Sequence, residues 1–204
     1  MKFIFLCLLP IVVVAQKPYQ QKIKTGDLLF QNLDCGPLCD AIETVTEGYN
    51  AQKFSHIGLA YSRKDSMYII EAIGKDVHLT SLQEFMARTN HPTIIARLKK
   101  QYQYLIPATI QEALKHLGAS YDDAFIYNNG KYYCSELIYD AFKKANNNKP
   151  FFKLEPMTFK DPTTHQFFPA WVDYYKSLNM DIPEGKPGIN PGGISTSNKI
   201  MIIE

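Results

Sequence analysis

Two strand-like runs, Phe54 to Tyr61 and Met67 to Ile73, stand on either side of the polar break Ser62-Arg63-Lys64-Asp65-Ser66. Runs of this length around a short polar segment form a hairpin, so the chain must build an antiparallel sheet around them. Period-two alternation sends His56, Gly58 and Ala60 to one face and Ile57, Leu59 and Tyr61 to the other. On the second strand it puts Met67, Ile69, Glu71 and Ile73 on one face. A carboxylate amid Tyr-Ile-Ile-Glu-Ala-Ile is costly to bury alone, so Glu71 needs a partner. If Ser62 to Asp65 make a four-residue loop, Tyr61 faces Ser66 and His56 faces Glu71, with Cβ atoms about 4.5–5.5 Å apart. The carboxylate then orients the imidazole and favours its charged form.

An imidazole held in this way needs a nucleophile to act on. Cys134 ends the aromatic approach Lys131-Tyr132-Tyr133 and opens a helix whose apolar stripe is Leu137, Ile138, Ala141 and Phe142. The first amides of a helix have no intrahelical acceptor and the dipole is positive there, so a thiolate is stabilised and an oxyanion can be bound. Cysteine, histidine and an orienting carboxylate form the arrangement that activates a thiol for acyl transfer. Taken singly, each has a plain structural reading: a hydrogen-bonding strand histidine, an edge-strand charge, a small buried thiol. Taken together, each supplies what the others require.

Tyr133 and Gln31 are the candidate substrate-binding residues. The Tyr133 hydroxyl could serve an oxyanion or line the cleft, and Gln31 sits at a strand end; either could equally be a packed bystander. Glu136 and Asp140 stabilise or solvate the helix. His116 reads as a surface residue, and His78, His91 and His165 show no partner pattern.

Residues 1–15 carry one lysine and then an apolar run ending Val-Val-Ala, the pattern of a cleavable secretory signal peptide and too short to span a bilayer. Its removal takes the formal charge from +2 to +1, a balance that points to neither a nucleic-acid partner nor a polybasic membrane surface. The protein is expected to be secreted or periplasmic, with no stable membrane anchor after cleavage. Cys35, Cys39 and Cys134 remain, and an odd number leaves one thiol unpaired. Cys35 and Cys39 either bridge each other, against the poor geometry of a regular helix, or are two small buried thiols. A zinc pair would lack a second ligand pair.

Residues 16–204 fit a single domain with 46% hydrophobic residues in the chain. Gly26 to Gln31 reads as a turn and strand, Pro37 to about Glu47 as a helix, and Asp76 to Leu79 as a strand. Ser81 with Glu84 forms a capping box for a helix through Arg88, and Thr93 to Leu98 is extended. Pro107 opens a helix stopped by Gly118, residues 146–166 are loop-like, and Phe168 to Leu178 is a last helix. The glycine- and proline-rich tail after Pro183 should lie over the domain as an extended arm ending in a strand at Lys199 to Ile203. The pattern is α+β with a mainly antiparallel central sheet.

The pieces Gly26-Asp27-Leu28-Leu29-Phe30, Phe54-Ser55-His56-Ile57-Gly58-Leu59, Glu71, Gly118 with Tyr121-Asp122, and Tyr133-Cys134-Ser135-Glu136-Leu137-Ile138 resemble the NlpC-type papain-like cysteine hydrolases in their circularly permuted, YiiX-like form. The histidine precedes the cysteine here, the reverse of unpermuted relatives. The match covers about 25–145, with 146–204 as a C-terminal extension. The resemblance implies a papain-like fold with the sheet carrying His56 and Glu71 packed on the helix that carries Cys134. It implies hydrolysis through a thioester, with His56 taking the thiol proton and Glu71 holding the ring, and neither metal nor organic cofactor.

The reading is a secreted cysteine amidase or peptidase acting on a small-molecule, peptide or lipid amide, whether cell-wall peptide, N-acyl amino acid or lipid amide. The alternatives are an acyltransferase resembling lecithin:retinol acyltransferase and a non-catalytic binding module on the same fold. Oligomeric state is left open by the sequence.

Overall fold

The computed structural model describes residues 23–203, so the proposed signal segment lies outside the described residues. Six strands form one sheet, each pair antiparallel: β1 (Leu28–Gln31), β2 (His56–Arg63), β3 (Ser66–Ile73), β4 (Asp76–Ser81), β5 (Ile94–Leu98) and β8 (Ile200–Ile203). Their order is β4-β3-β2-β1-β5-β8, which places the hairpin β2–β3 inside the sheet. A turn at Thr25-Gly26 leads through Asp27 into β1. Asp27 is buried and receives Arg97 Nε and a terminal guanidinium nitrogen, each at 2.7 Å, tying the start of β1 to β5.

The hairpin forms with a register different from that expected. Arg63 faces Ser66 and Leu59 faces Ile70, because the turn has two residues, Lys64 and Asp65, rather than four. Both adopt positive φ, 47° and 60°, the backbone of the tight turns whose twist matches that of paired strands. His56 and Glu71 are therefore diagonal neighbours. A shift of two positions preserves the face of every side chain, so both still lie on the same side of the sheet.

That side carries a small apolar layer of Leu29, Ala60, Ile69 and Ile95 under α2 (Leu82–Ala87), whose Phe85 and Leu82 pack down on it. The capping box predicted from Ser81 and Glu84 is present. The other side carries the main core, in which Ile57, Leu59, Ile70 and Ala72 meet Leu137, Ile138, Ala141 and Phe142 of α4 (Cys134–Ala145), flanked by α3 (Ile106–Lys115). A third cluster joins α1 (Pro37–Thr44) to α5 (Pro169–Ser177) around Trp171, Phe159 and Tyr175.

The segment after α4 is more ordered than the sequence suggested. β6 (Glu155–Pro156) pairs with β7 (Pro187–Gly188), and the tail holds a short helix, α6 (Pro191–Ser195), before β8. Asn190 caps α6 by accepting from Gly193 N–H at 2.7 Å. Cys35 and Cys39 form a disulfide with Cα atoms 5.4 Å apart. Cys35 stands before the helix, and Gly36 turns the chain at φ 78°, so the geometric objection from a regular helix does not apply. Among the described residues, no helix is long and apolar enough to cross a membrane.

Candidate active site

Cys134 opens α4, with Tyr133 as an extended N-cap at φ −93°. The helix is seated by its buried stripe on β2 and β3, and this delivers its first turn to the end of the sheet where β2 begins. Among the described residues Cys134 is the one free cysteine, and it is nearly fully buried. Its thiol lies close enough to the His56 imidazole to favour the ring's charged form. The His56 Nε2 lies 2.6 Å from Glu71 Oε2, which leaves Nδ1 as the ring nitrogen for sulfur. The amides of the first turn of α4 have no intrahelical acceptor and surround the nucleophile with donors.

Glu71 is wholly buried and fully occupied. Besides His56 it receives the Thr80 hydroxyl and a two-pronged contact from Arg88, at 2.8 Å to Oε2 and 2.7 Å to Oε1. Burial alone would raise its pKa, but Arg88 and then His56 and Thr80 outweigh it and hold the carboxyl at about 2. For His56, burial opposes the charged form, and the thiol and then the carboxylate overcome it and lift the imidazole to about 9. Phe85 lies 5.9 Å from the imidazole and fixes its other flank.

The structure therefore brings Cys134, His56 and Glu71 together. It does not bring Gln31 into the cleft. Gln31 faces His56 across β1 and β2, is fully buried, and donates to Phe85 O at 2.8 Å and Thr93 Oγ1 at 3.2 Å. Its amide nitrogen thus ties β1 to α2, while Oε1 is buried without a hydrogen-bond partner. Tyr133 does line the cavity; its hydroxyl oxygen accepts from Ile189 N–H at 3.2 Å, which leaves its proton available to donate, and burial pushes its pKa up. Glu136 corrects another expectation: it is buried, not solvated, accepts from Asn128 N–H at 2.7 Å, and burial raises it to about 8.

Two partners of Glu71, Thr80 and Arg88, were missed by the sequence reading. A buried carboxylate demands a partner, and in the sequence the strand histidine already supplies one. A cation one residue past α2, on the side of the sheet that carries Glu71, was the available signal.

Cys134 opens onto a cavity of about 340 Å³. Its wall includes Tyr121, Phe125 and Trp171 beside Ile42, Met157 and Ile189. Burial raises the Tyr121 hydroxyl, with the nearby Cys134 adding to the effect. Much of this wall comes from the end of α1 and the residues just after it, from residues 155–159 and from the C-terminal arm, with Trp171 added by α5. The arm is fastened on both sides of the nucleophile: Ser135 Oγ donates to Ile189 O at 2.8 Å, and Tyr133 Oη receives Ile189 N–H.

A family model described as permuted papain-like amidase enzyme, YaeF/YiiX, C92 family, matches residues 22–203. The chain is 26% identical over 139 residues to YiiX of Escherichia coli (strain K12), itself uncharacterized; the match spans 66% of this chain and 64% of that protein, less than two thirds of its length. A crystal structure described as that of the metalloprotein YiiX from Escherichia coli O157:H7 superposes with a TM-score of 0.71 over 89% of this chain and 96% of that one, at 21% identity. At that identity the likeness shows the fold, a mixed α and β architecture built on an antiparallel sheet. Among the described residues, no group of three or more His, Cys, Asp or Glu side chains is placed to hold a metal ion.

Proposed function

We propose, from the premise that this chain belongs to the C92 family of permuted papain-like amidases, that it is a cysteine amidase working through a thioester on Cys134. The observation that carries the reading is the buried relay from thiol to imidazole to carboxylate, with Nε2 2.6 Å from Oε2. His56 takes the thiol proton on Nδ1 as Sγ attacks the amide carbon. The oxyanion is received by the free amides at the start of α4. The imidazolium then returns its proton to the departing amine, leaving an acyl thioester. His56 next takes a proton from water, the hydroxide displaces the thiolate, and the carboxylic acid leaves while the thiol is restored. Glu71 accepts from Nε2 throughout and holds the ring in place, and Arg88 holds Glu71.

YiiX is described as a metalloprotein; among the described residues of this chain no group of three or more His, Cys, Asp or Glu side chains is placed to hold a metal ion, and no step is routed through one. The N-terminal segment supports export, so the substrate amide belongs to the cell envelope or beyond it. Transfer to an acceptor other than water, or retention of the fold for binding alone, draws no support from a particular residue.

The test is mass spectrometry of the purified protein after incubation with an activated N-acyl anilide. An acyl adduct should appear on Cys134 and disappear in Cys134→Ala, with turnover reduced by at least 10³-fold, on the order found for removing a nucleophile. Turnover surviving in Cys134→Ala sinks the assignment.

A further inference from the structure

Resting on that reading, we propose that Glu136 is a positioning residue for the reaction: from the first turn of the nucleophile's own helix it clamps the loop 122–133 that delivers Cys134, and so fixes the direction of the thiol. The hydrolytic relay makes no use of this carboxyl. A wholly buried acid that stands outside the chemistry needs another reason to be there, since burying one is costly.

The contact closes a ring that contains the nucleophile. Glu136 is the third residue of α4, and its Oε1 reaches back to take the Asn128 N–H at 2.7 Å. From Asn128 the chain runs through the N-cap Tyr133 to Cys134, the first helical residue, and returns to Glu136. The rest of the loop is held by other groups. Buried Asp122 accepts from Ala124 N–H at 3.1 Å and Ile126 N–H at 2.7 Å, and the Tyr132 backbone pairs with Ser120 and Asp122 at 3.1 Å each. With the two ends of the loop joined in this way, what remains to be set is the angle at which loop and helix meet. Glu136 spans that angle.

The loop also holds backbone that does not persist unaided. Phe125 stands at φ 52° and Asn128 at φ 66°, and the left-handed region is unfavourable for a bulky side chain such as phenylalanine. Phe125 packs on Tyr133 with ring centroids 5.5 Å apart, so a relaxation of the loop is passed to the residue before the nucleophile.

Glu136 does this work as a neutral acid. The charges that bear on it, Asp122 and Asp140, are both negative, its Oε2 is buried without a hydrogen-bond partner, and burial lifts its pKa to about 8. A neutral group grips Asn128 without adding a negative charge to the turn in which the thiolate forms.

The experiment compares the unaltered chain with Glu136→Gln, Glu136→Leu and the unbranched Glu136→Met near neutral pH, using the activated N-acyl anilide and, separately, alkylation of Cys134 by iodoacetamide. Turnover is expressed per thiol that forms the acyl adduct, so a variant that folds only in part loses sites rather than rate. Glutamine keeps the acceptor that Asn128 requires and should keep kcat. Leucine and methionine keep the volume and remove the acceptor. Their kcat should fall by about 10- to 100-fold at unchanged KM, the scale on which a small misplacement of a reacting group acts, and alkylation should slow with it. Leucine and methionine variants with the kcat of the unaltered chain overturn the proposal and leave the amidase reading intact. An equal fall in the glutamine variant overturns it as well, since the acid group itself would then be the requirement. If no adduct forms in the unaltered chain the amidase reading fails, and alkylation still decides the positioning role: equal rates in all four proteins overturn it, and slowing confined to leucine and methionine upholds it.

Discussion

Arg88→Met separates the electrostatic role of Arg88 from its packing. Glu71 is held at about 2 against an ordinary 4.5, a difference of about 3 kcal/mol at neutral pH. Arg88 makes two of its four contacts and is the largest of the favourable influences, so about half of that stabilisation goes with it. The guanidinium also sits 5.3 Å from the Phe85 ring, a contact worth about 0.5–1 kcal/mol, while methionine keeps most of the stem packing. The expected loss is about 2–3 kcal/mol, measured by urea denaturation at a series of pH values. A carboxyl with a depressed pKa contributes stability that is present above its unfolded value and lost as pH falls through its folded one. The deficit of Arg88→Met should therefore be full above pH 4.5 and shrink as pH falls toward 2. A deficit that stays constant from pH 7 down to 2.5 refutes the ion-pair account and leaves Arg88 as a packing residue. The same variant frees Glu71 to act more strongly on His56, so the alkaline limb of kcat/KM should move above its starting position near 9 even as the protein loses stability.

Glu71→Gln should do the reverse, moving that limb below 9 and lowering kcat, because the imidazolium loses its anionic partner; a pH–rate profile superimposable on that of the unaltered protein counts against the relay. Since the His56 pKa is raised on folding, its contribution to stability is full below 6.5 and declines as pH rises through about 9. Glu136, raised by burial to about 8, keeps a proton that the unfolded chain has released above 4.5, so stability should fall between those values. Glu136→Gln should flatten the fall and be more stable at pH 8.5 by up to about 4 kcal/mol, which parallel melting-temperature profiles for the two proteins would contradict. Asp65→Val puts a β-branched side chain at φ 60° and should cost about 1–2 kcal/mol by thermal unfolding, whereas a longer, relaxed turn would accept it without loss.

The faces of the hairpin were legible in the sequence, and its register was not. Alternation reports which side a residue occupies, and that is insensitive to a two-residue slip. The turn length depends on whether Lys64 and Asp65 enter the left-handed region, and neither is a glycine to announce it. The helix at Cys134 was readable from its stripe, and the capping box at Ser81 from two side chains. α6 was not readable because Gly192 and Gly193 lower its propensity, and what forms it is the Asn190 cap, Pro191 and burial against the domain. The surroundings of Gln31 and Tyr133 were not readable, because a polar group near a nucleophile looks available until its partners are known. Those partners, Phe85 O with Thr93 and Ile189 N–H, lie 54 or more residues away.

The distribution of these misses follows the division of labour in the molecule. The relay comes from elements whose sequence patterns are strong, a hairpin and an amphipathic helix, because the relative position of three reacting groups requires stiff supports. The cavity comes from α1, short strands and the arm, elements whose own propensity is weak and which are ordered by contacts made at long range. Ile189 joins the two. Its carbonyl and amide are taken by Ser135 and Tyr133, one residue on each side of Cys134, so a displacement of the arm is felt at the first turn of the helix that presents the thiol. A change in the arm therefore acts on the reaction in two ways, through the shape of the cavity and through the placement of the nucleophile. A substitution at Ser135 that removes only its hydroxyl leaves the cavity's side chains untouched and loosens that placement.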